Sequence, residues 1–499
     1  MKIAIIGAGA AGCFCAVELK RRMPSASVEV FEAGAKALAK VAITGGGRCN
    51  LTNSFEGISS LSAAYPRGDK LMKRLFRTFD QKSAWQWFEN EGVKLVLQED
   101  HCVFPASQDA MEIVNTLLAR MRQAGVTLHT KRKVTGIFPR PDGGYTLSVS
   151  ELSKVQSLRR VQLPRGTVPE LSKVQSLRRV QLPRGTVPEL SKVQSLRRVQ
   201  LPRGTVPELS KVQSLRHAQL PRGSVPELVE GPMPQKYQRR DDRNFQADIV
   251  VVTTGGSPEL SGLGMLDGLE LEIVPPVPSL FTLNLPGSPV RELMGTVVDN
   301  ANASLVGTKL KAAGPLLITH WGMSGPAILK LSSYAARYLA EKEYSATLSV
   351  NWFGGLGEQD VRDRILSLSK DNPQKQILNS HPSELPSRLW AYMITKAGIR
   401  EDTRWAELGS KGMNRLVNTL INDEYQIRGK SRFKEEFVTC GGVALSNINL
   451  NTLESKNHPG LYFAGEVLDV DAITGGFNLQ AAWSMGYTVA RSITLHQES

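Results

Sequence analysis

Hydrophobic and polar positions in the N-terminal part of the chain change period several times. KIAII, which starts at Lys2, is a short apolar run typical of a buried strand, and helical periodicity follows it through Ala16 and Leu19. SVEVFEA is a second strand of this kind. Further on, GGYTLSVS alternates as a half-buried strand does, and FQADIVVVTTGG is a continuous buried strand. This order of elements predicts an α/β fold.

The second half of the chain has a different pattern. Four strand-like runs lie between about Ser279 and Phe353, namely SLFTLNLP, GTVVDNANASLV, LLITH and SATLSVNWF. Helical periodicity then runs from Glu358 to about Asn422 and is clearest in NRLVNTLI. A β-rich segment is therefore followed by a helical one.

A unit of 19 residues is repeated four times in the middle of the chain. The first copy, ELSKVQSLRRVQLPRGTVP, begins at Glu151, and further copies begin at Glu170, Glu189 and Glu208. Each of the first three copies has a net charge of +3, and the fourth has +2. The segment after the fourth copy, residues 227–240, has +1. Residues 151–240 therefore hold +12 of the net charge of +14, and the rest of the chain is nearly balanced.

The repeat is predicted to be an insertion in a surface loop. Its short apolar series is broken by Pro164 and Gly166, and it lies between GGYTLSVS and FQADIVVVTTGG. Long additions are tolerated there because the entropy of loop closure grows only with the logarithm of length. We expect a flexible passenger loop, with a nucleic-acid or anionic-surface arm and a structured helical array as alternatives. Because the charge belongs to the insertion, we expect a small-molecule substrate and no nucleic-acid partner.

Composition gives expectations about location. No stretch of about 18 apolar residues is present, which predicts neither a membrane-spanning helix nor a membrane partner. The five cysteines include no Cys-x-x-Cys pair, as expected for a chain kept reduced in the cytoplasm. No set of His, Cys, Asp or Glu in the sequence has the spacing of a metal site.

The first strand and helix enclose a dinucleotide fingerprint. Gly7, Gly9 and Gly12 form Gly-x-Gly-x-x-Gly, and Glu32 ends the second strand twenty residues later. Gly7 allows a tight turn, Gly9 lets a pyrophosphate approach the backbone, and Gly12 lets the helix lie against the strand. The helix N-terminus favours phosphates, and Glu32 accepts hydrogen bonds from ribose hydroxyls. We therefore predict a Rossmann-type nucleotide site.

Two later segments distinguish FAD from NAD. Thr254 and Gly255 follow a buried strand, as in the turn that closes over the cofactor in two-dinucleotide flavoproteins. Near the C-terminus, Gly465-Glu466 follow a β-run, and Gly475-Gly476 open the last helix. Such a helix N-terminus stabilises negative charge on a reduced flavin. Three nucleotide-like elements in this order predict FAD.

The segment VAITGGGRCNLTN contains three consecutive glycines, at positions 45–47. Such a run weakens a helix or strand, and the missing lysine excludes a P-loop. Because the run follows the second strand by about a dozen residues, we predict that its backbone approaches the FAD diphosphate and flavin. Arg48 would add positive charge there, and Asn50 and Asn53 would bind the cofactor or fix the loop.

Taken together, GAGAAG, TGGGRCNLTN, THWGMSGPAIL, VTCGGV and LYFAGEVLDVDAITGGFNLQAAWSMG resemble the aminoacetone-oxidase-type, BaiN-like family of NAD(P)/FAD-dependent oxidoreductases. The resemblance implies an α/β, Rossmann-like, two-dinucleotide-type FAD-binding domain interrupted by a β-barrel-like domain and a small helical domain. We assign residues 1–150, 241–275 and 437–499 to the FAD-binding domain, 151–240 to the repeat insertion, 276–356 and 426–436 to the β-barrel-like domain, and 357–425 to the helical domain.

The resemblance also implies a set of FAD-contacting residues, drawn mostly from the glycine-containing turns. The set is Gly7, Gly9, Ala10, Ala11, Gly12, Glu32, Gly45, Gly46, Gly47, Arg48, Cys49, Asn50, Asn53, Val134, Thr254, Gly255, Gly465, Glu466, Asp469, Gly475, Gly476, Phe477, Asn478 and Leu479.

The implied chemistry is hydride exchange at flavin N5. The sequence has no second Gly-x-Gly-x-x-Gly, so we expect NAD(P)H to visit the flavin transiently as a co-substrate, with oxygen as the alternative. The expected substrate is a conjugated keto compound such as an oxo-steroid or oxo-bile acid. The alternatives are an amine oxidase for aminoacetone-like substrates, an FAD protein acting on RNA with the repeat as an arm, and a non-catalytic flavin-binding redox sensor.

The sequence assigns no catalytic acid or base firmly. His320 in THWGMSGPAIL is a candidate proton donor or substrate contact, and Cys49 beside the predicted flavin is a candidate redox-active thiol. Ser324 is predicted to cap a helix that begins at Gly325-Pro326.

Overall fold

The computed structural model describes residues 1–151, 161–162, 180–181, 199–200, 242–257, 259–429 and 438–498. The chain divides into two compact units. One consists of Met1–Glu151 with Asp241–Ser499, and the other is Leu152–Arg240. All of the predicted site residues belong to the first unit.

The chain up to residue 151 forms eight strands and five helices. The strands are β1 (Lys2–Ile6), β2 (Ser27–Glu32), β3 (Thr52–Asn53), β4 (Leu95–Leu97), β5 (Cys102–Pro105), β6 (Thr127–Thr130), β7 (Arg132–Pro139) and β8 (Tyr145–Glu151). The helices are α1 (Ala10–Arg22), α2 (Leu61–Ala64), α3 (Asp69–Leu75), α4 (Gln81–Asn90) and α5 (Ala110–Gln123). The predicted strand–helix–strand unit at the N-terminus is confirmed.

Three strands of two residues each are described in the repeat. They are β9 (Val161–Gln162), β10 (Val180–Gln181) and β11 (Val199–Gln200), the same dipeptide in successive copies. β10 pairs in parallel with both β9 and β11. The prediction of a flexible passenger loop otherwise falls on residues outside the described ones.

The chain from residue 242 onward forms the remaining elements. The strands are β12 (Asp242–Ala247), β13 (Ile249–Val252), β14 (Ile273–Ser279), β15 (Leu283–Asn284), β16 (Val297–Leu305), β17 (Lys311–Ile318), β18 (Gly322–Ser324), β19 (Ser345–Asn351), β20 (Asp423–Arg428), β21 (Val438–Val443) and β22 (Leu461–Phe463). The helices are α6 (Pro326–Tyr334), α7 (Ala336–Glu341), α8 (Glu358–Asp371), α9 (Ser387–Lys396), α10 (Gly409–Ile421) and α11 (Phe477–Glu498).

Two local predictions are wrong in detail. FQADIVVV forms two strands, because the chain bends at Asp248, whose carboxylate accepts a hydrogen bond from the Lys2 N–H (2.7 Å). Ser324 does not cap α6. It ends β18, and its hydroxyl accepts a hydrogen bond from Thr282 Oγ1 (3.0 Å), while Gly325 occupies the cap position with φ of 89°.

A Rossmann-type sheet forms the centre of the first unit. Its five strands are parallel and have the order β22–β13–β1–β2–β6. The chain goes from β1 to β2 on one side, and β13 lies on the other side of β1. The topological switch point therefore lies between β1 and β13, where ligands of such sheets bind at the carboxyl ends of the strands.

The repeat is inserted in a small antiparallel sheet of order β12–β8–β7. β8 and β12 pair from Tyr145 opposite Ala247 to Ser150 opposite Asp242. The chain therefore leaves and re-enters this sheet at neighbouring positions, as in a hairpin. The insertion extends one connection and leaves the flanking strands paired.

The β-rich segment forms a six-stranded sheet of order β15–β18–β17–β16–β19–β20. Its strands pair antiparallel, and the outer strands β15 and β20 approach each other, so the sheet curls into a near-barrel. Helices α8, α9 and α10 share one apolar core with it. Within this core, the indole of Trp352 donates to Asp423 Oδ2 (2.8 Å). The expected β-barrel-like and helical domains are confirmed.

Two smaller antiparallel sheets, β14–β21 and β3–β5–β4, complete the described fold of the first unit. In the described parts of the chain, no helix is both long and apolar enough to cross a membrane.

Deleting residues 152–241 and joining Glu151 to Asp242 through an Asn-Gly turn should leave the fold intact. The deletion shortens a connection whose ends are already adjacent, so the free energy of unfolding should stay constant or rise by up to about 3 kcal/mol. Urea unfolding and the ratio of bound FAD to protein measure the two effects. A shortened protein that aggregates or loses FAD would contradict the passenger-loop interpretation.

Candidate dinucleotide-binding site

The carboxyl ends of the parallel strands carry many of the predicted cofactor residues. Gly7 follows β1, Glu32 ends β2, Thr254 and Gly255 follow β13, and Gly465 follows β22. Because the strands are parallel neighbours, these turns lie along one edge of the sheet. The fold thus brings residues from both ends of the chain into one site.

The turn between β1 and α1 has the geometry of a pyrophosphate site. Gly7 has φ of 107°, and a Cβ there would lie 2.5 Å from the carbonyl oxygen of Thr253. A Cβ on Gly12 would lie 2.5 Å from Thr253 Oγ1, so α1 packs this closely only without a side chain. Gly9 is different, because nothing lies within 4 Å of a Cβ built on it. The open side of Gly9 therefore faces space that a ligand can fill.

Thr253 holds this turn in place, a role that is not apparent from the sequence motifs. Its hydroxyl lies 2.7 Å from Gly7 O and 3.1 Å from Ile6 O, and its backbone N–H donates to Ile6 O (2.8 Å). The side chain is buried. The available signal was a threonine directly after a buried strand and directly before the predicted Thr254.

Glu32 turns its carboxylate toward the glycine turn. Oε2 accepts a hydrogen bond from the Ala8 N–H (2.9 Å), and Oε1 accepts one from the Gly34 N–H (2.6 Å). Each carboxylate oxygen has two lone pairs, so both oxygens keep acceptor capacity for ribose hydroxyls. The position fits the predicted role.

The triple glycine forms an irregular turn with its backbone exposed. Gly45, Gly46 and Gly47 have φ of 58°, 69° and 86°, in the left-handed region that favours glycine. Nothing lies within 4 Å of a Cβ built on Gly46 or Gly47. This geometry leaves room for a ligand to approach the backbone, and the predicted contact with FAD stays a prediction.

Arg48 packs against the same turn. Its guanidinium lies 4.5 Å from the ring centroid of Phe104, and its Nε donates to Gly45 O (3.2 Å). The side chain remains exposed, so its positive charge is available beside the turn.

Asn50 and Asn53 fix one glycine segment against another. The side-chain amide of Asn50 accepts a hydrogen bond from the Gly476 N–H (3.2 Å) and donates to Thr52 O (3.0 Å). Asn53 Nδ2 donates to Gly475 O (3.0 Å). Of the two roles that the sequence left open for these residues, the structure supports fixing the loop.

The same segment is attached to the start of α11. Thr52 Oγ1 donates to Gln480 Oε1 (2.6 Å), and the indole of Trp483 donates to Leu51 O (3.0 Å). All of these groups are buried. The N-terminus of α11 is therefore held beside the triple glycine.

Glu466 and Asn478 also have structural partners. Glu466 Oε1 accepts a hydrogen bond from the Thr439 N–H (2.7 Å), and its Oε2 lies 3.5 Å from Lys40 Nζ. Asn478 accepts from the Ala472 N–H and donates to Ala472 O, both at 3.0 Å. These bonds define the loop that leads from β22 into α11.

A buried ion pair that is not predicted from the sequence stabilises the loop between β22 and α11. Arg67 forms a two-pronged pair with Asp471, whose carboxylate is fully buried. Arg67 also donates to Ser333 O (2.7 Å), and Ser279 Oγ donates to Asp471 Oδ2 (2.8 Å). Burial raises the pKa of Asp471, and the Arg67 guanidinium opposes that rise. The signal available was Asp471 within the LDVDAITGG motif.

The other predicted contacts lie near this edge or within its elements. Val134 is buried in β7, and Lys131 just before that strand donates its N–H to Gly34 O (2.9 Å), next to Glu32. Leu479 is half-buried in the first turn of α11. Asp469 Oδ1 lies 3.4 Å from Nη2 of Arg337, which is on α7.

His320 lies in the exposed turn between β17 and β18. Its ring is 3.5 Å from that of Trp321, centroid to centroid, and its carbonyl accepts a hydrogen bond from Arg291 Nε (2.7 Å). These contacts lie within the barrel-like domain, so its role as proton donor stays a prediction.

The cysteines are buried free thiols. Burial raises the pKa of Cys49 to about 12, which leaves its thiol protonated at neutral pH. We therefore do not propose Cys49 as a redox-active residue.

The geometry fits FAD. Gly9, Gly46 and Gly47 each leave open space beside the backbone, and these positions without side chains are termed the glycine cradle. The helices α1 and α11 begin at this cradle, and the first N–H groups of a helix have no acceptor within it. Diphosphate oxygens and an anionic ring suit these groups. Fold and site together define a dinucleotide-binding protein of the Rossmann type.

Two family models match the chain. The HI0933-like protein Rossmann domain matches residues 1–166, and the HI0933-like protein barrel and H2TH domain matches residues 277–438. Together they match more than half of the sequence. The chain belongs to the HI0933-like family, which is the BaiN/aminoacetone-oxidase-like family of FAD-dependent oxidoreductases. The resemblance drawn from the motifs is confirmed.

Three relatives illustrate the range of this family. The ribosomal RNA dihydrouridine synthase of Haemophilus influenzae is 25% identical over 98% of both chains. The enzyme of the same name from Escherichia coli is 28% identical over 52% of this chain and 66% of its own length. The 3-dehydro-bile acid delta(4,6)-reductase of Clostridium scindens is 24% identical over 98% of both chains.

Replacing Gly9 with alanine should weaken FAD binding without unfolding the protein. The new methyl group meets no protein atom but occupies the space assigned to the pyrophosphate. We expect the Kd for FAD to rise about tenfold or more, which corresponds to about 1.4 kcal/mol. Gly355→Ala is the matched control, because a Cβ there also meets nothing within 4 Å. Equal FAD affinity in the two variants, measured by flavin fluorescence, would refute this position for the cofactor.

Replacing Asn53 with alanine should loosen the Gly475–Gly476 turn. The variant loses the bond to Gly475 O and leaves a half-buried carbonyl without that partner. We expect the free energy of unfolding to fall by about 1–3 kcal/mol and FAD to dissociate faster. Asn379→Ala, at an exposed position, should change stability by less than about 0.5 kcal/mol. Chemical unfolding measures both variants, and an unaffected Asn53→Ala protein would contradict the assigned role.

Proposed function

We propose that the protein is an FAD-dependent reductase of carbon–carbon double bonds conjugated to a carbonyl, and that its substrate is a uridine in ribosomal RNA. The observation that carries the proposal is the glycine cradle at the switch point, where segments from both ends of the chain form one dinucleotide site. The named activities of the relatives support the reaction and the substrate.

The relatives' names describe one kind of bond change on two kinds of substrate. A dihydrouridine is a uridine whose C5=C6 bond, conjugated with the C4 carbonyl, has gained two hydrogens. A 3-dehydro-bile acid with a delta-4 double bond has the same conjugated arrangement in a sterol ring. In both cases the β-carbon takes a hydride and the α-carbon takes a proton. The reaction class is therefore supported independently of the substrate.

The residues of this chain supply binding, orientation and electrostatics. FAD, when bound, supplies a two-electron carrier whose N5 atom exchanges a hydride. Gly9 and the first turn of α1 would hold the diphosphate, and Glu32 would hold a ribose. The first turn of α11 would face the ring and stabilise the negative charge that reduction adds there. Asn50 and Asn53 keep that helix start in position.

We propose NAD(P)H as the electron donor. The sequence has a single dinucleotide fingerprint, at Gly7–Gly12, and the FAD assigned to it fills that site. The coenzyme would therefore dock briefly at the substrate side and leave before the substrate binds. Oxygen as the partner, which an amine oxidase would use, is the alternative.

RNA as the substrate departs from the expectation based on overall charge. That expectation was based on the net charge of the whole chain. A substrate interacts with the charges of the surface that it contacts. Beside the loop from β22 to α11 lies a recess lined by four basic side chains, those of Arg67, Lys309, Lys311 and Arg337. Such a lining suits a polyanion better than an apolar sterol nucleus. An oxo-bile acid is nevertheless a second candidate, because the bile acid reductase aligns along the full chain.

We also propose that the protein works in the cytoplasm. Its five cysteines are free thiols, which a reducing compartment maintains.

Absorption spectroscopy followed by product analysis tests the proposal. Anaerobic NADPH or NADH should bleach flavin bands near roughly 370 and 450 nm. Ribosomal RNA transcribed without modifications should then restore the bands, and nucleoside mass spectrometry should find uridine with two added hydrogens. The Gly9→Ala protein, with little FAD, is the control for product formation.

Each alternative predicts a different result. Restored absorbance with a 3-oxo-delta-4 steroid but not with RNA would favour the bile acid type of substrate. Bands that NAD(P)H does not bleach, but an amine does, would indicate an oxidase. A protein that reacts with none of these would be a flavin-binding sensor, and the proposed reductase activity would be refuted.

A further inference from the structure

A basic recess of about 490 Å³ lies beside the loop that leads into α11. One wall comes from Arg67 in the FAD-binding domain. The opposite wall comes from Lys309 just before β17, from Lys311 at its first position and from Arg337 on α7, all in the barrel-like domain. The recess therefore forms where the two domains meet.

Two acidic residues of the loop neutralise only part of this charge. Asp471 pairs with Arg67, and Asp469 lies 3.4 Å from Arg337. Lys309 and Lys311 are exposed, and no ion pair among the described residues includes either of them. Four cations thus face two carboxylates, and the excess positive charge belongs to the two lysines.

The loop from β22 to α11 connects the recess residues with the FAD cradle. Asp471 and Asp469 of this loop pair with Arg67 and Arg337, and four residues after Asp471 the loop reaches Gly475, whose carbonyl accepts a hydrogen bond from Asn53. Ile473 between them donates its N–H to Ala64 O (2.9 Å), which fixes the loop in place. The loop that carries the aspartate partners of Arg67 and Arg337 therefore also leads into the start of α11.

We propose that this recess binds backbone phosphates of the RNA strand that carries the target uridine. The inference rests on the proposed function and adds a binding site to it. The ammonium groups of Lys309 and Lys311 would contact phosphate oxygens. Arg67 and Arg337, held by their aspartates, would add positive potential behind them. Phosphate contacts position a nucleic acid without reading its sequence, so the recess would set the strand's register over the cradle.

A double charge variant tests the proposal. Lys309→Gln with Lys311→Gln removes both unpaired charges at exposed positions, so the fold and FAD content should not change. The control combines Lys342→Gln with Lys370→Gln, which removes two exposed lysines outside the recess. RNA affinity of the FAD-loaded proteins is measured by fluorescence anisotropy over a series of salt concentrations, with a short labelled RNA that contains the target uridine.

The recess variant should bind this RNA at least about tenfold more weakly at 0.1 M salt, a concentration on the order of the physiological one. The slope of log affinity against log salt should fall by about 1.4, because each lost phosphate contact to a single strand removes about 0.7. Flavin reduction by NADPH should keep its rate, and the control variant should match the unaltered protein.

Three results would overturn the proposal, and each has a distinct meaning. An unchanged salt slope in the recess variant, with uridine reduction intact in the unaltered protein, would refute the recess alone. A raised KM for NADPH with unchanged RNA affinity would assign the recess to coenzyme phosphates. If the unaltered protein neither binds the RNA nor reduces its uridine, the proposed substrate fails together with the recess.

Discussion

The structure depends on one close contact between two glycine-containing segments from opposite ends of the chain. Asn53 and Asn50 bind the backbone of Gly475 and Gly476, where a Cβ on Gly476 would collide with the Thr52 carbonyl. Backbone polar groups that are withdrawn from water need hydrogen-bond partners, and here two side-chain amides satisfy this half-buried backbone. The parallel sheet, the packing of α11 and the Arg67–Asp471 pair all serve to bring these segments together. The cradle for a cofactor is the space that the missing side chains leave.

The sequence predicts elements well where the determining interactions are local. The run KIAII, the three glycines after it and the acid at position 32 specify a strand, a turn and a second strand, and the structure has all of them. Predictions fail where a distant partner decides. Ser324 has the chemistry of a helix cap, but Thr282, just before β15, donates a hydrogen bond to it, and Gly325 takes the cap position. Asp248 bends a run that alone would be one strand.

The residues of the candidate site also fall into two groups, those that the sequence indicates and those that only the fold brings into place. The glycines and Glu32 are visible in the sequence because their spacing in the chain reflects a local turn. Thr253 and Arg67 are not, because their roles arise from carbonyls and carboxylates that the fold brings from other segments. The distribution of charge is likewise only partly visible in the sequence. The repeat dominates the total, whereas the four cations near the cradle come from three separate segments and are evident only in three dimensions.

The buried thiols have a consequence for the chemical durability of such an enzyme. Reduced flavins release hydrogen peroxide when oxygen reaches them, and peroxide oxidises cysteine through the thiolate form. Burial raises the pKa of Cys49 to about 12 and that of Cys102 and Cys440 to about 11, and it also raises the pKa values of Cys13 and Cys15. At neutral pH these sulfur atoms are protonated and inaccessible. In the FAD-loaded protein, this burial is expected to slow the oxidation of the thiols by any peroxide that the reduced flavin releases.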